Sequence, residues 1–282
     1  MSSPPPRSPS PAAVRLHDAG LAYGDRTLWS GLDLVVEPGQ FLAVLGPNGS
    51  GKTSLLEVLL GLTPLSAGDG EIAGGRLRRG NPHVGYIPQH QGFDEDVPLR
   101  ARDLVSLGID GHRWGVSLPS RSRRREVDGL LAQVHATSYA DVPLGQLSGG
   151  EQQRLRVAQA LATDPRVLLC DEPLLSLDLT HQQMVVDLID RRRRERGTAV
   201  LFVTHEINPV LPIVDQVLYI INGEFRLGPP EEVMTSTTLS QLYDSDVEVI
   251  RRHGRIIVVS GSPGHDEHHH EHERAPRRVG RS

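Results

Sequence analysis

"QFLAVLGPNGSGKTSLLEVLLGL", residues Gln40 to Leu62, decides the fold of this chain. Gln40–Gly46 is an apolar run of strand length, and Lys52–Leu62 carries apolar residues at helical spacing. Between them "GPNGSGKT", Gly46–Thr53, matches G-x-x-x-x-G-K-[ST] in the strand-then-helix context that the pattern requires. Its glycines let the backbone curl around the β- and γ-phosphates of a nucleotide, with amides from Asn48 to Thr53 turned inward. The expected nucleotide contacts are Gly46, Pro47, Asn48, Gly49, Ser50, Gly51, Lys52, Thr53 and Ser54. Lys52 adds a point charge, and the Thr53 hydroxyl is an oxygen ligand of the kind Mg²⁺ prefers. A glycine-rich turn without a ligand is the plain alternative, and the complete motif in context weighs against it.

Working outward, Val14 to about Asp33 reads as antiparallel strands, "SAGDGEIAGG" (Ser66–Gly75) as turn, and "HVGYIPQ" (His83–Gln89) as a short strand. Val97 to about Asp164 reads as mainly helical, interrupted by a polar loop "LPSRSRRREVD". Strand and helix then alternate through "RVLLCDEP", "LTHQQMVVDLIDRRRR", "TAVLFVTHE" and one further strand, "QVLYIINGEF". That rhythm predicts an α/β fold with a largely parallel sheet, and a helical insertion between its two halves. "VEVIRRHGRIIVVS" reads as a hairpin turning at His253–Gly254. The expected organisation is a disordered Ser/Pro-rich start over 1–13 and an ATPase domain over 14–240, with its helical subdomain near 92–164. A β-hairpin extension over 241–260 and a disordered His-rich tail over 261–282 complete it.

Other residues gather around the phosphate loop. Asp171 and Glu172 leave an apolar strand at its C-terminal end, where α/β sheets place ligands. Asp171 is the candidate holder of Mg²⁺ through a water, and Glu172 the candidate to polarise the water attacking the γ-phosphate. His205, ending "LFVTHE", is either a satisfied strand-end histidine or, beside these motifs, a γ-phosphate contact. Gln89 follows a strand and offers an amide oxygen to Mg²⁺ or the attacking water. Tyr23 presents a flat face for adenine, or is an ordinary strand aromatic.

A second glycine pair opens "LSGGEQQRLRVAQAL", Leu147–Leu161, again at a helix start. Taken with "GPNGSGKT", "YIPQ", "CDEP", "LSLD" and "VTHE" in that order, it makes the chain resemble the nucleotide-binding subunit of ABC transporters over about Val14–Ser240. The resemblance implies an ABC-type P-loop ATPase with an antiparallel β subdomain and a helical subdomain. It implies that Ser148, Gly149, Gly150 and Glu151 face the γ-phosphate held by another copy, and that Asp178 communicates across the interface. One P-loop and one such signature occur here, so a homodimer or a close paralogue is required. An integral-membrane permease is the implied further partner. Residues of "GFDEDVPLRARDLVSLGI" either help form its docking groove or are the subdomain's own core.

Composition agrees with a soluble ATPase. Hydrophobic residues are 38%, charged residues 23%, and the net charge is −5, so no global basic field recruits nucleic acid. A single cysteine excludes an internal disulfide framework, and neither a signal peptide nor a spanning run is legible. The expected location is the cytoplasmic face of a membrane. "HEINPV" and "LYDSDVEV…HGR" resemble the zinc/manganese importer branch, which implies an extracytoplasmic metal-binding protein as well. Importers of iron or iron chelates share parts of this signal, export is a nearer alternative, and a soluble ABC ATPase acting on nucleic acid or ribosomes a more distant one. In "HDEHHHEHE", His265, His268, His269, His270 and His272 stand among acids, a donor set for Zn²⁺, Ni²⁺ or Cu²⁺ or else a solvated tail.

Overall fold

A computed structural model describes residues 12–89, 92–93, 98–110 and 120–260. β1 (Val14–Tyr23) and β2 (Arg26–Val36) lead into β3 (Phe41–Leu45), the phosphate loop and α1 (Lys52–Leu59). β4 (Ala67–Ile72), β5 (Gly75–Arg76) and β6 (Val84–Ile87) follow. The helical region holds α2 (Ala101–Asp110), α3 (Arg121–Gln133) and α4 (Gly149–Leu161). Then come β7 (Val167–Asp171), α5 (Leu179–Arg196), β8 (Ala199–Val203), β9 (Gln216–Ile221) and β10 (Glu224–Gly228). α6 (Pro230–Val233), α7 (Ser236–Tyr243), β11 (Val247–Arg252) and β12 (Arg255–Ser260) complete the order.

The central sheet runs β10-β9-β3-β8-β7-β6, parallel except for β10, and a separate antiparallel sheet runs β2-β1-β4-β5. β3, β7 and β8 are buried on both faces, so their side chains alternate between two cores. Phe41, Ala43 and Leu45 of β3 pack with the helices, whereas Leu42 and Val44 pack with α1 and the antiparallel sheet. β7 divides likewise, with Leu168 and Cys170 to the first core and Val167 and Leu169 to the second. Phe41 and Phe202 meet with ring centroids 5.4 Å apart, a contact worth about 0.5–1.5 kcal/mol beyond area burial. α1 is thus held between two sheets, which fixes the loop at its N-terminus.

Three sequence expectations are corrected. The stretch expected to be turn contains β4, whose glycines permit close approach: a Cβ on Gly68 would lie 2.3 Å from the His17 and Asp18 carbonyl oxygens of β1. The stretch expected to be a polar loop enters α3 at Arg121, because only Val127 and Leu131 of that helix are buried and its Arg-rich first half lies on the surface. The "QVLYIINGEF" segment is two strands, since Asn222 (φ 51°) and Gly223 (φ 85°) form a tight reversal that suits a right-twisted hairpin. In the candidate docking stretch, Ala101, Leu104 and Val105 are core while Leu107 is exposed, so most of that helix serves its own subdomain.

The last hairpin, β11–β12, reverses at His253 and Gly254, both at positive φ. It is bolted on by polar groups. The Asn208 amide donates to Ile256 O at 2.9 Å and accepts from Ile256 N at 2.8 Å. Ser236 Oγ accepts from Val249 N at 2.8 Å, and Ser240 Oγ from Val247 N at 2.9 Å. The five tail histidines singled out by sequence lie outside the described residues.

Candidate active site

Four neighbouring strands deliver the site at their C-terminal ends. In the order β3-β8-β7-β6 they end at the phosphate loop, at His205, at Asp171–Glu172 and at Gln89. Register holds these ends level: Asp171 pairs with Val203, Glu172 N donates to Val203 O at 3.0 Å, and Thr204 N donates to Val44 O at 3.1 Å. They open on a cleft of about 800 Å³. Its walls include Tyr23, Asn48, Gly49, Gly51, Lys52, Thr53, Ser54, Gln89, Glu172 and His205, so most of the sequence-assigned nucleotide residues meet here.

The loop geometry follows from its glycines. Gly46 has φ 141°, and a Cβ there would lie 2.0 Å from Ile220 O on β9. Gly51 (φ 97°) caps α1 from the left-handed region, with buried Trp29 beneath it. Lys52 Nζ donates to Gly46 O at 2.8 Å and to Pro47 O at 2.9 Å, which holds the ammonium inside the loop. Burial pulls the Lys52 pKa down, and the Glu172 and Asp171 carboxylates oppose that pull. Ser50 is buried, with no hydrogen-bond partner for its hydroxyl.

Thr53 Oγ1 donates to Asp171 Oδ1 at 3.2 Å. Burial raises the Asp171 pKa, against the lowering effect of the Thr53 hydrogen bond. Hydroxyl, carboxylate and the Gln89 amide form an all-oxygen donor set, which fits a hard cation such as Mg²⁺. Glu172 sits at φ 45°, a conformation costly for a side chain beyond glycine and concentrated at functional sites. Its Oε2 lies 3.2 Å from His205 Nδ1, so imidazole and carboxylate orient one another.

Three residues escaped the sequence reading. Arg26 lies opposite Tyr23 in register, lines the cleft, and donates from Nη2 to Gly49 O at 3.1 Å. Pairing across the Gly24–Asp25 turn was the signal that could have found it. Tyr86 stands on β6, the strand beside β7, and burial first, then the Asp171 charge, pushes its pKa up to about 12. His181 was read only as part of a helix; it joins Asp178 to Gly150, as described below.

The signature residues stand elsewhere. Among the described residues, the walls of the cleft do not include Ser148, Gly149, Gly150, Glu151 or Asp178. Ser148 caps α4 in a capping box: its Oγ accepts from Glu151 N at 3.4 Å, while Glu151 Oε2 accepts from Ser148 N at 2.9 Å and from Ser148 Oγ at 2.8 Å. Asp178 caps α5. Pro47 contributes a carbonyl to Lys52 and is not a wall of the cleft.

A strand-to-helix phosphate loop, paired carboxylates and an adjacent imidazole at the C-terminal edge of a parallel sheet define an ATP-binding P-loop ATPase. Residues 29–175 match the family model described as ABC transporter, and the chain belongs to that family as an ATP-hydrolysing, ATP-binding subunit. Within it the chain falls with the zinc/manganese importer branch. The zinc import ATP-binding protein ZnuC of Yersinia enterocolitica is 32% identical over 264 residues, 92% of this chain and 91% of the relative. The manganese transport system ATP-binding protein MntB of Bacillus subtilis is 30% identical over 230 residues, 82% and 92% of the two. The uncharacterized ABC transporter ATP-binding protein YvrA of Bacillus subtilis is 36% identical over 237 residues, and the chain spans 53% of that longer protein. An ABC transporter solved in an inward-facing conformation superposes with a TM-score of 0.75 at 26% identity, covering 89% of this chain and 98% of that one.

Proposed function

We propose that the chain is the ATP-driven motor of an importer that moves a divalent metal, zinc or manganese, through a separate membrane permease. Near full-length similarity to proteins named for zinc import and manganese transport carries the choice of cargo. Among the described residues no helix is long and apolar enough to cross a membrane, and no cluster of three or more His, Cys, Asp or Glu could hold a metal. In this reading the path for cargo belongs to another protein. This chain works at the cytoplasmic face, with an extracytoplasmic metal-binding protein delivering the ion.

In this reading Lys52 and the loop amides hold the β- and γ-phosphates of ATP, and Tyr23 stacks on adenine. Thr53, Asp171 and Gln89 would hold Mg²⁺, which when bound neutralises charge on the phosphate oxygens. Glu172 takes the proton of the attacking water, and His205 keeps that carboxylate in place while facing the γ-phosphate. Ser148, Gly149 and Gly150 lie outside the cleft of their own chain, which supports a nucleotide completed by a second copy. ATP then favours the closed pair, and hydrolysis removes the contact that distinguishes closed from open. Glu172→Gln tests this by sedimentation with Mg-ATP: a stable dimer is expected, and a persistent monomer refutes the two-copy site. Zinc, manganese and iron contents of cells lacking the chain test the cargo, and a selective fall in zinc or manganese is expected.

The His-rich tail is part of the same proposal, as a buffer for incoming metal on the cytoplasmic side. Its imidazoles and carboxylates alternate closely enough to share an ion, with affinity falling as histidines protonate. Calorimetry with Zn²⁺ on the full chain and on a chain ending at Ser260 decides, and equal heats refute the role.

A further inference from the structure

The N-termini of α4 and α5 are tied together by one side chain. His181 N donates to Asp178 Oδ1 at 2.9 Å, and His181 Nδ1 lies 2.8 Å from Asp178 Oδ2, so one carboxylate holds both the backbone and the ring of the same residue. The far side of that ring lies against the signature helix. A Cβ on Gly150 would come within 2.3 Å of His181 Cδ2, 2.6 Å of Cγ and 2.9 Å of Nε2. Gly150 is buried, and its φ is not among the positive ones, so its backbone conformation does not demand glycine. What a methyl there would meet is the imidazole. The segment before α5 is held from the same helix, since Gln182 Nε2 donates to Leu177 O at 3.2 Å and to Leu174 O at 3.4 Å.

We infer that His181 is a positioning residue that spaces the Ser148–Gly150 edge from Asp178, so that both meet the partner copy as one rigid face. The inference rests on the two-copy site proposed above. Ser148 and Asp178 belong to separate helices, and a composite site requires them at a set separation even though neither touches the nucleotide of its own chain. A hydrogen bond on one side of the ring and a close van der Waals contact on the other supply that separation. His181 is not a wall of the cleft, so nucleotide binding within one chain does not depend on it.

The test uses the full chain carrying Glu172→Gln, with dimerisation followed by sedimentation across protein concentration in Mg-ATP, and binding of a fluorescent ATP analogue measured at dilution. His181→Ala is expected to weaken the ATP-bound dimer roughly tenfold, the scale of losing one hydrogen bond to a charged group. Analogue binding and melting temperature stay near the parent's, which a general loss of structure would not allow. His181→Asn, whose amide nitrogen reaches Asp178 much as Nδ1 does, restores most of the dimer. Gly150→Ala alone abolishes dimerisation, and adding His181→Ala recovers part of it because the methyl then occupies space the ring has left. If the parent dimerises but His181→Ala does so equally well, or if Gly150→Ala is equally defective with and without the ring, the inference is overturned. If the Glu172→Gln parent itself stays monomeric, the two-copy reading falls and this inference falls with it.

Discussion

Replacing Gly46 with alanine should damage the protein in a way the structure lets one size. The new Cβ would sit 2.0 Å from Ile220 O, a backbone atom of β9, and a Cβ is itself fixed by the backbone just beyond β3, so no side-chain rotation relieves the overlap. Forcing a side chain onto φ 141° costs about 1–3 kcal/mol, and overpacking between fixed elements costs about 1–3 kcal/mol more. A total of roughly 2–6 kcal/mol is a large share of the roughly 5–15 kcal/mol that holds a typical domain together. For a domain of this size that converts to a fall of roughly 4–24 °C in Tm. Surviving folded molecules must displace the start of the loop, and a misplacement of about 1 Å at a reacting centre costs on the order of 100-fold in rate. Gly49→Ala is the control: its φ is also positive, at 78°, but the nearest atom is the flexible end of Arg26 at 3.7 Å, so only the conformational part of the cost remains. Differential scanning calorimetry and phosphate release measure the two losses. A Gly46→Ala protein that melts within 2–3 °C of the parent, an allowance of about 1 kcal/mol, and hydrolyses ATP normally would refute the reasoning.

Other expectations are quicker to state. Asn208→Ala leaves the N–H and carbonyl of Ile256 without partners, so amides of β11 and β12 should exchange at least tenfold faster while β7 and β8 stay protected; unchanged hairpin exchange would contradict this. Thr53→Val deletes the donor to Asp171 and one candidate Mg²⁺ ligand together, so turnover should fall by more than tenfold without loss of the fold, as read by phosphate release and circular dichroism. Burial pushes the Cys170 thiol pKa far up, so thiol reagents should modify it only after denaturation, followed by absorbance. Arg192 holds the Asp164 carboxyl below its ordinary value of 3.8, chiefly through a side-chain hydrogen bond. A depressed folded pKa stabilises above the unfolded value and is lost as pH falls through the folded one, so Arg192→Ala should lower the urea midpoint at pH 7, and by progressively less as the pH falls below 3.8.

The chain wrote its site more plainly than its scaffold. Glu172, His205, Gln89 and the loop each follow an apolar strand, so one rule about strand ends finds all four. β4 was hidden because its glycines look like turn residues until β1 is known to lie against them. α3 was hidden because it buries only two side chains, which leaves an almost wholly polar sequence with little periodicity. Arg26 and His181 became visible only in three dimensions: one acts through antiparallel register, the other through contact between helices far apart in the chain. The reason for Gly150 likewise lay in its neighbour and not in its own segment.

Alternation along the central strands imposes a parity on this enzyme. Successive apolar residues of β7, Val167 to Cys170, belong to opposite cores, and the acidic pair begins at the last residue of the strand, Asp171. Removing one residue from β7 would send the apolar groups that follow the deletion to the wrong layer and turn the acid pair half a repeat away from Thr53 and His205. Removing two would keep the layers matched but draw the pair back by about 7 Å along the strand. Neither change leaves a working centre, so the spacing between Val167 and Glu172 behaves as a fixed ruler.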